Sequence, residues 1–243
     1  MSSVGRARRL ERLQSSDGTY RVLALDHGVT MGWTFEQEDP FDIALACAPL
    51  GVQGVVAHFG LLPRLSQVRG VELVMQTHAS TPGDKAKDVV APASVALELD
   101  CAAIAVEYNA TGSSRQMANA AAVVHAAHAV GLVVLVMANY DRSSFRSLGQ
   151  AIVAASQLGA DLVKVALPDR PDRDALAWGR RIVESSPPCL LAGGDVDVDL
   201  SESVALATDL GFRGYCIGRK FFTPDGRRDA FHALRMMGGT SIS

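Results

Sequence analysis

The feature that most constrains this chain is a repeated alternation. Eight short runs rich in Val, Ile and Leu, nearly uncharged at their centres, each lead into a stretch of different character. The runs cover residues 21–26, 54–58, 72–75, 102–107, 132–137, 161–166, 189–192 and 214–217. Strands apolar along their whole length must be covered on both faces, as in parallel sheets. The stretches at 113–130, 144–158 and 172–185 mix charged or small polar residues with Ala, Leu and Val at helical spacing. The last has Asp172 and Asp174 early and Arg180 and Arg181 late, which complements a helix dipole. Eight strand–helix units use up the chain, which predicts an α/β fold: a single (β/α)8 TIM barrel over residues 1–243, with residues 1–20 as an N-terminal helical extension closing its bottom. An open doubly wound sheet is the competing architecture. The segment after the first run, Leu25-Asp26-His27-Gly28, lacks its G-x-G-x-x-G fingerprint.

Composition narrows the function. Hydrophobic residues make up 48% of the chain, enough for a large core, and a net charge of −3 gives no support to a nucleic-acid partner. The basic N-terminus (Arg6, Arg8, Arg9) is followed by no apolar stretch of signal-peptide type. The longest apolar region, residues 120–136, is interrupted by His125, His128 and Gly131, so no membrane partner is expected. Cys47, Cys101, Cys189 and Cys216 form no C-x-x-C pair, and three sit in apolar runs. Buried reduced thiols are expected, which fits a cytoplasmic protein. His27, His58 and His78 follow three different strands with no fixed ligand spacing, so neither a metal nor another cofactor is expected.

In a barrel of this kind the active residues stand at the C-terminal ends of the strands. Those ends carry Asp26, His27, His58, Gln76, His78, Glu107, Tyr140, Arg142, Gly193, Gly194, Gly218 and Arg219, and Lys164 lies within the sixth run. A lysine there is either a nucleophile toward a carbonyl carbon or a snorkelling or ion-paired structural residue. Burial should depress its pKa. Asp26 shares a face with Val22 and Ala24, and Tyr140 continues the parity of Val134, Val136 and Ala138. A carboxylate and a phenol near an amine can move the protons of Schiff-base chemistry; each is also an ordinary turn or loop residue. Gly193-Gly194 and Gly218-Arg219 end the last two strands, where barrels often hold phosphate on backbone N–H groups, and where glycines also simply make turns.

Taken in order, six motifs resemble one family, over about residues 9–237. They are Leu25-Asp26-His27-Gly28-Val29-Thr30-Met31-Gly32, Ala79-Ser80-Thr81, Tyr140-x-Arg142, Gly159-Ala160-Asp161-Leu162-Val163-Lys164, Ala192-Gly193-Gly194 and Ile217-Gly218-Arg219-Lys220-Phe221-Phe222. The chain is similar to the archaeal-type class I fructose-bisphosphate aldolases and their relatives, which include 2-amino-3,7-dideoxy-D-threo-hept-6-ulosonate synthase and related secondary-metabolite aldolases. The resemblance implies a lyase with Lys164 as Schiff-base lysine and Asp26 and Tyr140 as acid–base residues. It implies Gly193, Gly194, Gly218 and Arg219 as phosphate ligands, with His27 and Arg142 also at the substrate. It further implies a small phosphorylated carbonyl substrate and a homo-oligomer, a decamer of two stacked five-membered rings.

This chain departs from the family at three places. Tyr-Pro-Arg-Gly has become Tyr140-Asp141-Arg142-Ser143, the segment after the lysine reads Leu167-Pro168-Asp169-Arg170, and Gly-Gly-Pro-Lys reads Gly193-Gly194-Asp195-Val196. The lost lysine and added acid weaken the case for a bisphosphate, though Lys220 or Arg170 could compensate. Other readings are a thiolase-like group-transfer enzyme on the same scaffold and a non-catalytic sugar-phosphate-binding barrel.

Overall fold

The computed structural model describes residues 4–32, 38–84, 87–169, 175–194 and 200–238. Eight parallel strands close into a barrel. They are β1 (Tyr20–Ala24), β2 (Gly54–Ala57), β3 (Glu72–Gln76), β6 (Ala103–Asn109), β7 (Val133–Asn139), β8 (Leu162–Val165), β9 (Cys189–Ala192) and β10 (Gly214–Ile217). Closure comes from β10 pairing with β1, Tyr20 lying opposite Gly214. This is the (β/α)8 barrel expected from the alternation. Two short strands outside it, β4 (His78–Ala79) and β5 (Asp88–Val89), form an antiparallel hairpin after β3 that the apolar pattern did not show.

Local chemistry fixes the helix starts. Helix α6 (Ser114–Ala129) opens on a capping box in which Ser113 and Gln116 satisfy each other's backbone N–H groups. Helix α7 (Phe145–Gln157) is capped by Ser144, and α10 (Pro224–Leu234) by Thr223 with Pro224 at its first position. The helix expected over 172–185 is α8 (Leu176–Glu184); Asp172 and Asp174 lie outside the described residues. Helix α9 (Leu200–Leu210) precedes β10.

Alternation along each strand divides the core in two. One face packs outward against the helices, with Val134, Val136 and Ile217 among its residues and Phe145 of α7 in the layer that covers it. The other fills the barrel with Tyr20, Val22, Ala24, Val56, Val74, Ala103, Ala105, Val133, Leu135, Leu162, Leu190 and Cys216. At the N-terminal ends of the strands, Leu13 plugs this inner core and is 1% exposed. Gly54 makes room for it, since a Cβ there would stand 2.9 Å from the leucine Cδ2. Helix α1 (Val4–Arg12) lies across this end: Arg6 pairs with Asp161 at 3.5 Å, Arg9 donates to the Gly131 carbonyl at 3.1 Å, and Arg12 pairs with Glu72 at 3.1 Å. All four cysteines are free and buried, and among the described residues no helix is long and apolar enough to cross a membrane.

Candidate active site

The inner face turns polar at the opposite end. Continuing the inward parity past the apolar layers brings in Asp26 after β1, Gln76 on β3, Glu107 on β6, Asn139 on β7 and Lys164 on β8. A cavity of about 270 Å³ opens there, lined among others by Asp26, His27, Lys87, Glu107, Asn139, Lys164 and Arg219. Three cations thus face two carboxylates, a balance that favours an anionic guest.

Lys164 stands opposite Met137 on β7 and Leu190 on β9. Burial pushes its pKa down, but Cys216, Asp26 and Glu107 together outweigh it, and the ammonium is held above its ordinary range. This corrects the expectation of a depressed pKa: an apolar sequence context conceals Cys216 and the two carboxylates that closure of the barrel brings near. The resting lysine therefore carries a proton that must leave before it can attack anything.

The two carboxylates are driven apart. Burial pushes Asp26 up, yet Lys164, a hydrogen bond from Gln76 Nε2 (2.9 Å) and Lys87 outweigh it and hold the carboxyl below its usual range. Glu107 goes the other way. Burial raises it more than Lys87, at 3.0 Å, and Lys164 lower it. The Asn139 amide donates to its other oxygen. Burial also lowers His27 to about 4, so its ring is neutral; it packs edge-on against Phe222 at 5.3 Å.

Of the residues named from sequence, Asp26, His27, Lys164 and Arg219 line this cavity. Gly193, Gly194 and Arg142 line a second cavity of about 250 Å³, which shares Ala166 and Ala192 with the first. There Arg142 is tied to Asp169 at 2.6 Å and donates to the Leu167 carbonyl, and Glu202 adds another negative charge. Arg219 donates to the Gly194 carbonyl at 2.9 Å and so bridges the ends of β9 and β10. Gly218 has its own steric reason: a Cβ would meet the Ala24 carbonyl oxygen at 2.3 Å and His27 Cε1 at 2.4 Å. Asp195, Val196 and Arg170 lie outside the described residues.

Tyr140 is not brought into the cavity lining. Val134, Val136 and Ala138 face outward, so the parity that was to carry Tyr140 inward carries it toward the helix layer. Its hydroxyl donates to the Ala166 carbonyl at 2.8 Å, and burial raises its pKa. The inward residues of β7 are Val133, Leu135 and Met137, leading to Asn139. Glu107 was noted at the end of its strand but given no role, and Lys87 and Asn139 were missing from the sequence-derived site. Glu107 was recoverable, since it shares the parity of Ala103 and Ala105 and ends an otherwise uncharged strand. Lys87 was not, because it reaches the cavity from the unforeseen hairpin. Among the described residues no group of three or more His, Cys, Asp or Glu could hold a metal ion.

Comparison with known proteins places this geometry in context. The family model for DeoC/LacD family aldolases matches residues 21–224. The 2-amino-3,7-dideoxy-D-threo-hept-6-ulosonate synthase of Halobacterium salinarum is 25% identical over 96% of this chain and 92% of its own. The 2-amino-4,5-dihydroxy-6-oxo-7-(phosphonooxy)heptanoate synthase of Streptomyces griseus is 29% identical over 90% of this chain and 85% of its own. Among solved structures, an archaeal fructose-1,6-bisphosphate aldolase, its catalytic lysine covalently bound to the carbinolamine intermediate, superposes with a TM-score of 0.81 at 19% identity, covering 96% of this chain and all of that one (100%). At that identity the likeness is one of fold.

Proposed function

The chain belongs to the DeoC/LacD aldolase family, and from that premise we propose that it is a class I aldolase, a lyase in which Lys164 forms a Schiff base with a small phosphorylated ketone. The observation that carries this reading is a lysine on the inner face of the barrel, at the end where the strands finish, lining one cavity with the carboxylates of Asp26 and Glu107.

In the proposed reaction the freed Lys164 amine attacks the ketone carbon, and the carbinolamine loses water to give an iminium. The iminium is the electron sink: removing a proton from the adjacent carbon yields an enamine, whose C=C electrons form the new bond to an aldehyde carbon. The aldehyde π electrons move to oxygen, which takes up a proton; water then hydrolyses the restored iminium and frees Lys164 and the product ketone. Asp26, kept ionised, stabilises the cationic iminium and accepts the carbon-bound proton. Tyr140 stays assigned as a proton donor; to serve, its hydroxyl must exchange its bond to the Ala166 carbonyl. Arg219, His27 and the backbone at Gly218 would hold the phosphate at the first cavity, with the backbone at Gly193 and Gly194 and the Arg142 side chain at the neighbouring one. Both curated relatives are named as synthases of amino-substituted seven-carbon keto acids, which supports bond formation as the working direction. No metal or other cofactor has a part, and a cytoplasmic homo-oligomer formed by a single-domain chain completes the proposal.

Borohydride reduction in the presence of dihydroxyacetone phosphate, read by intact mass and peptide mapping, tests the assignment. Wild type should be labelled at Lys164. Lys164→Arg keeps the charge but cannot form an imine, so labelling should vanish and turnover fall on the order of 10⁴-fold or more. Turnover near the wild-type rate, or labelling at Lys87 or Lys220, would overturn it.

A further inference from the structure

Lys164 needs a partner that removes its proton and a donor that turns the carbinolamine hydroxyl into water. We propose that Glu107 is a second catalytic carboxyl of this site and does both, taking a proton from the Lys164 ammonium and returning it to the leaving hydroxyl. This rests on Lys164 being the Schiff-base lysine.

Three observations support it. The register sets Glu107 beside Met137 and Met137 beside Lys164, so the two residues occupy one layer of the barrel, separated by a single strand. Their backbones are then about 10 Å apart, and both side chains extend into the same cavity. The carboxyl is also built in: Lys87 holds one oxygen at 3.0 Å and the Asn139 amide holds the other. Finally, Tyr140, the other candidate donor, has its hydroxyl on the Ala166 carbonyl and lies outside the lining.

The proton inventory closes. Ammonium and carboxylate become amine and carboxylic acid. The amine lone pair forms the N–C bond while the carbonyl π electrons move to oxygen, and a proton shifts from nitrogen to that oxygen. The nitrogen lone pair then forms C=N as the C–O bond breaks, and the hydroxyl leaves as water with the Glu107 proton. Glu107 ends as a carboxylate beside the iminium cation, so net charge is conserved. Raised and lowered carboxyls in one site divide the labour: Glu107 cycles the proton of iminium formation while Asp26 stays ionised until it takes the carbon-bound proton.

The groups facing Glu107 are Lys87 before β5, Asn139 on β7, Lys164 on β8, Asp26 after β1 and the His78 ring on β4, whose Nδ1 lies 3.5 Å from the Glu107 backbone nitrogen. Of these, Lys87 is the tuning cation nearest to it. The rate of borohydride trapping with dihydroxyacetone phosphate, measured against pH, tests the proposal. Glu107→Gln should slow labelling of Lys164 on the order of a hundredfold, with Glu107→Asp recovering part of the rate. Lys87→Met removes a charge that favours the carboxylate, so the Glu107 pKa should rise and the acidic limb of the trapping rate should move to higher pH. In Glu107→Gln that limb should disappear. If wild type is labelled at Lys164 and Glu107→Gln is labelled equally fast, the Glu107 role fails and the Schiff-base reading stands. If wild type is not labelled at Lys164, both fall. Should Glu107→Gln not fold, an unmoved acidic limb in Lys87→Met would by itself overturn the proposal.

Discussion

Near the N-terminal ends of the strands, the inward positions hold Tyr20, Val22, Val133 and Leu162, sealed beneath by Leu13 and α1. Near the C-terminal ends of β1, β7 and β8 the same parity delivers Asp26, Asn139 and Lys164. The period of two that builds the core therefore also aims the chemistry, and the difference between the ends is composition alone. Apolar side chains at one end gain stability by leaving water. Buried charges at the other cost stability unless each has a partner, and here Asp26 has Gln76 while Glu107 has Lys87 and Asn139. Substitutions at the closed end should therefore move stability without activity, and at the open end activity without much stability.

The largest stability effect should come from the plug. Leu13→Ala removes a side chain that is 1% exposed and leaves a void above Gly54. A loss of about 3 kcal/mol is expected, read as a lower midpoint in urea at constant slope, with kcat unchanged on the folded fraction. A fall in kcat of tenfold or more would show that the two ends are coupled, and the comparison would break.

The same period explains how far sequence alone could reach. All eight barrel strands were legible, because strands covered on both faces have no polar residues in their middles and helices between them do. Register was harder. Along 132–140 both parities are apolar, so nothing in the sequence said that Met137 and Asn139 face inward while Ala138 and Tyr140 do not. The β4–β5 hairpin was hidden because its strands are two residues each. The direction of the Lys164 shift was misjudged for a related reason: desolvation can be guessed from neighbours in sequence, whereas Asp26, Glu107 and Cys216 are neighbours only in space.

Tyr140 stands at the open end but outside the cavity lining, and Tyr140→Phe sharpens the comparison. If the phenol is a proton donor, kcat should fall on the order of a hundredfold while borohydride still labels Lys164. If it only straps its loop to β8 through the Ala166 carbonyl, the cost is about 1 kcal/mol of stability with kcat intact. Measuring kcat and the urea midpoint on the same preparation separates these outcomes.

The smallest effect is expected at Arg219, the cation that spans the ends of β9 and β10. Its guanidinium donates to the Gly194 carbonyl and lines the wall of the Lys164 cavity. A phosphate held there sits away from the reacting carbon and is bound alike in the ground and transition states. Its loss should therefore fall on KM rather than kcat. Arg219→Ala should raise KM for a phosphorylated ketone about tenfold, roughly 1.4 kcal/mol, with kcat changed much less. The unphosphorylated ketone should show the same KM in both enzymes. The lining of the two cavities makes this informative: Arg219 is placed where cations outnumber carboxylates, whereas Arg142 is held by Asp169 and faces Glu202. Arg142→Ala should consequently raise KM less than Arg219→Ala. The reverse order would move the phosphate into the second cavity, beside Gly193 and Gly194. An unchanged KM in both variants would mean that the glycines at the ends of β9 and β10 serve close packing alone, as the contact Gly218 makes with the Ala24 carbonyl already requires of one of them.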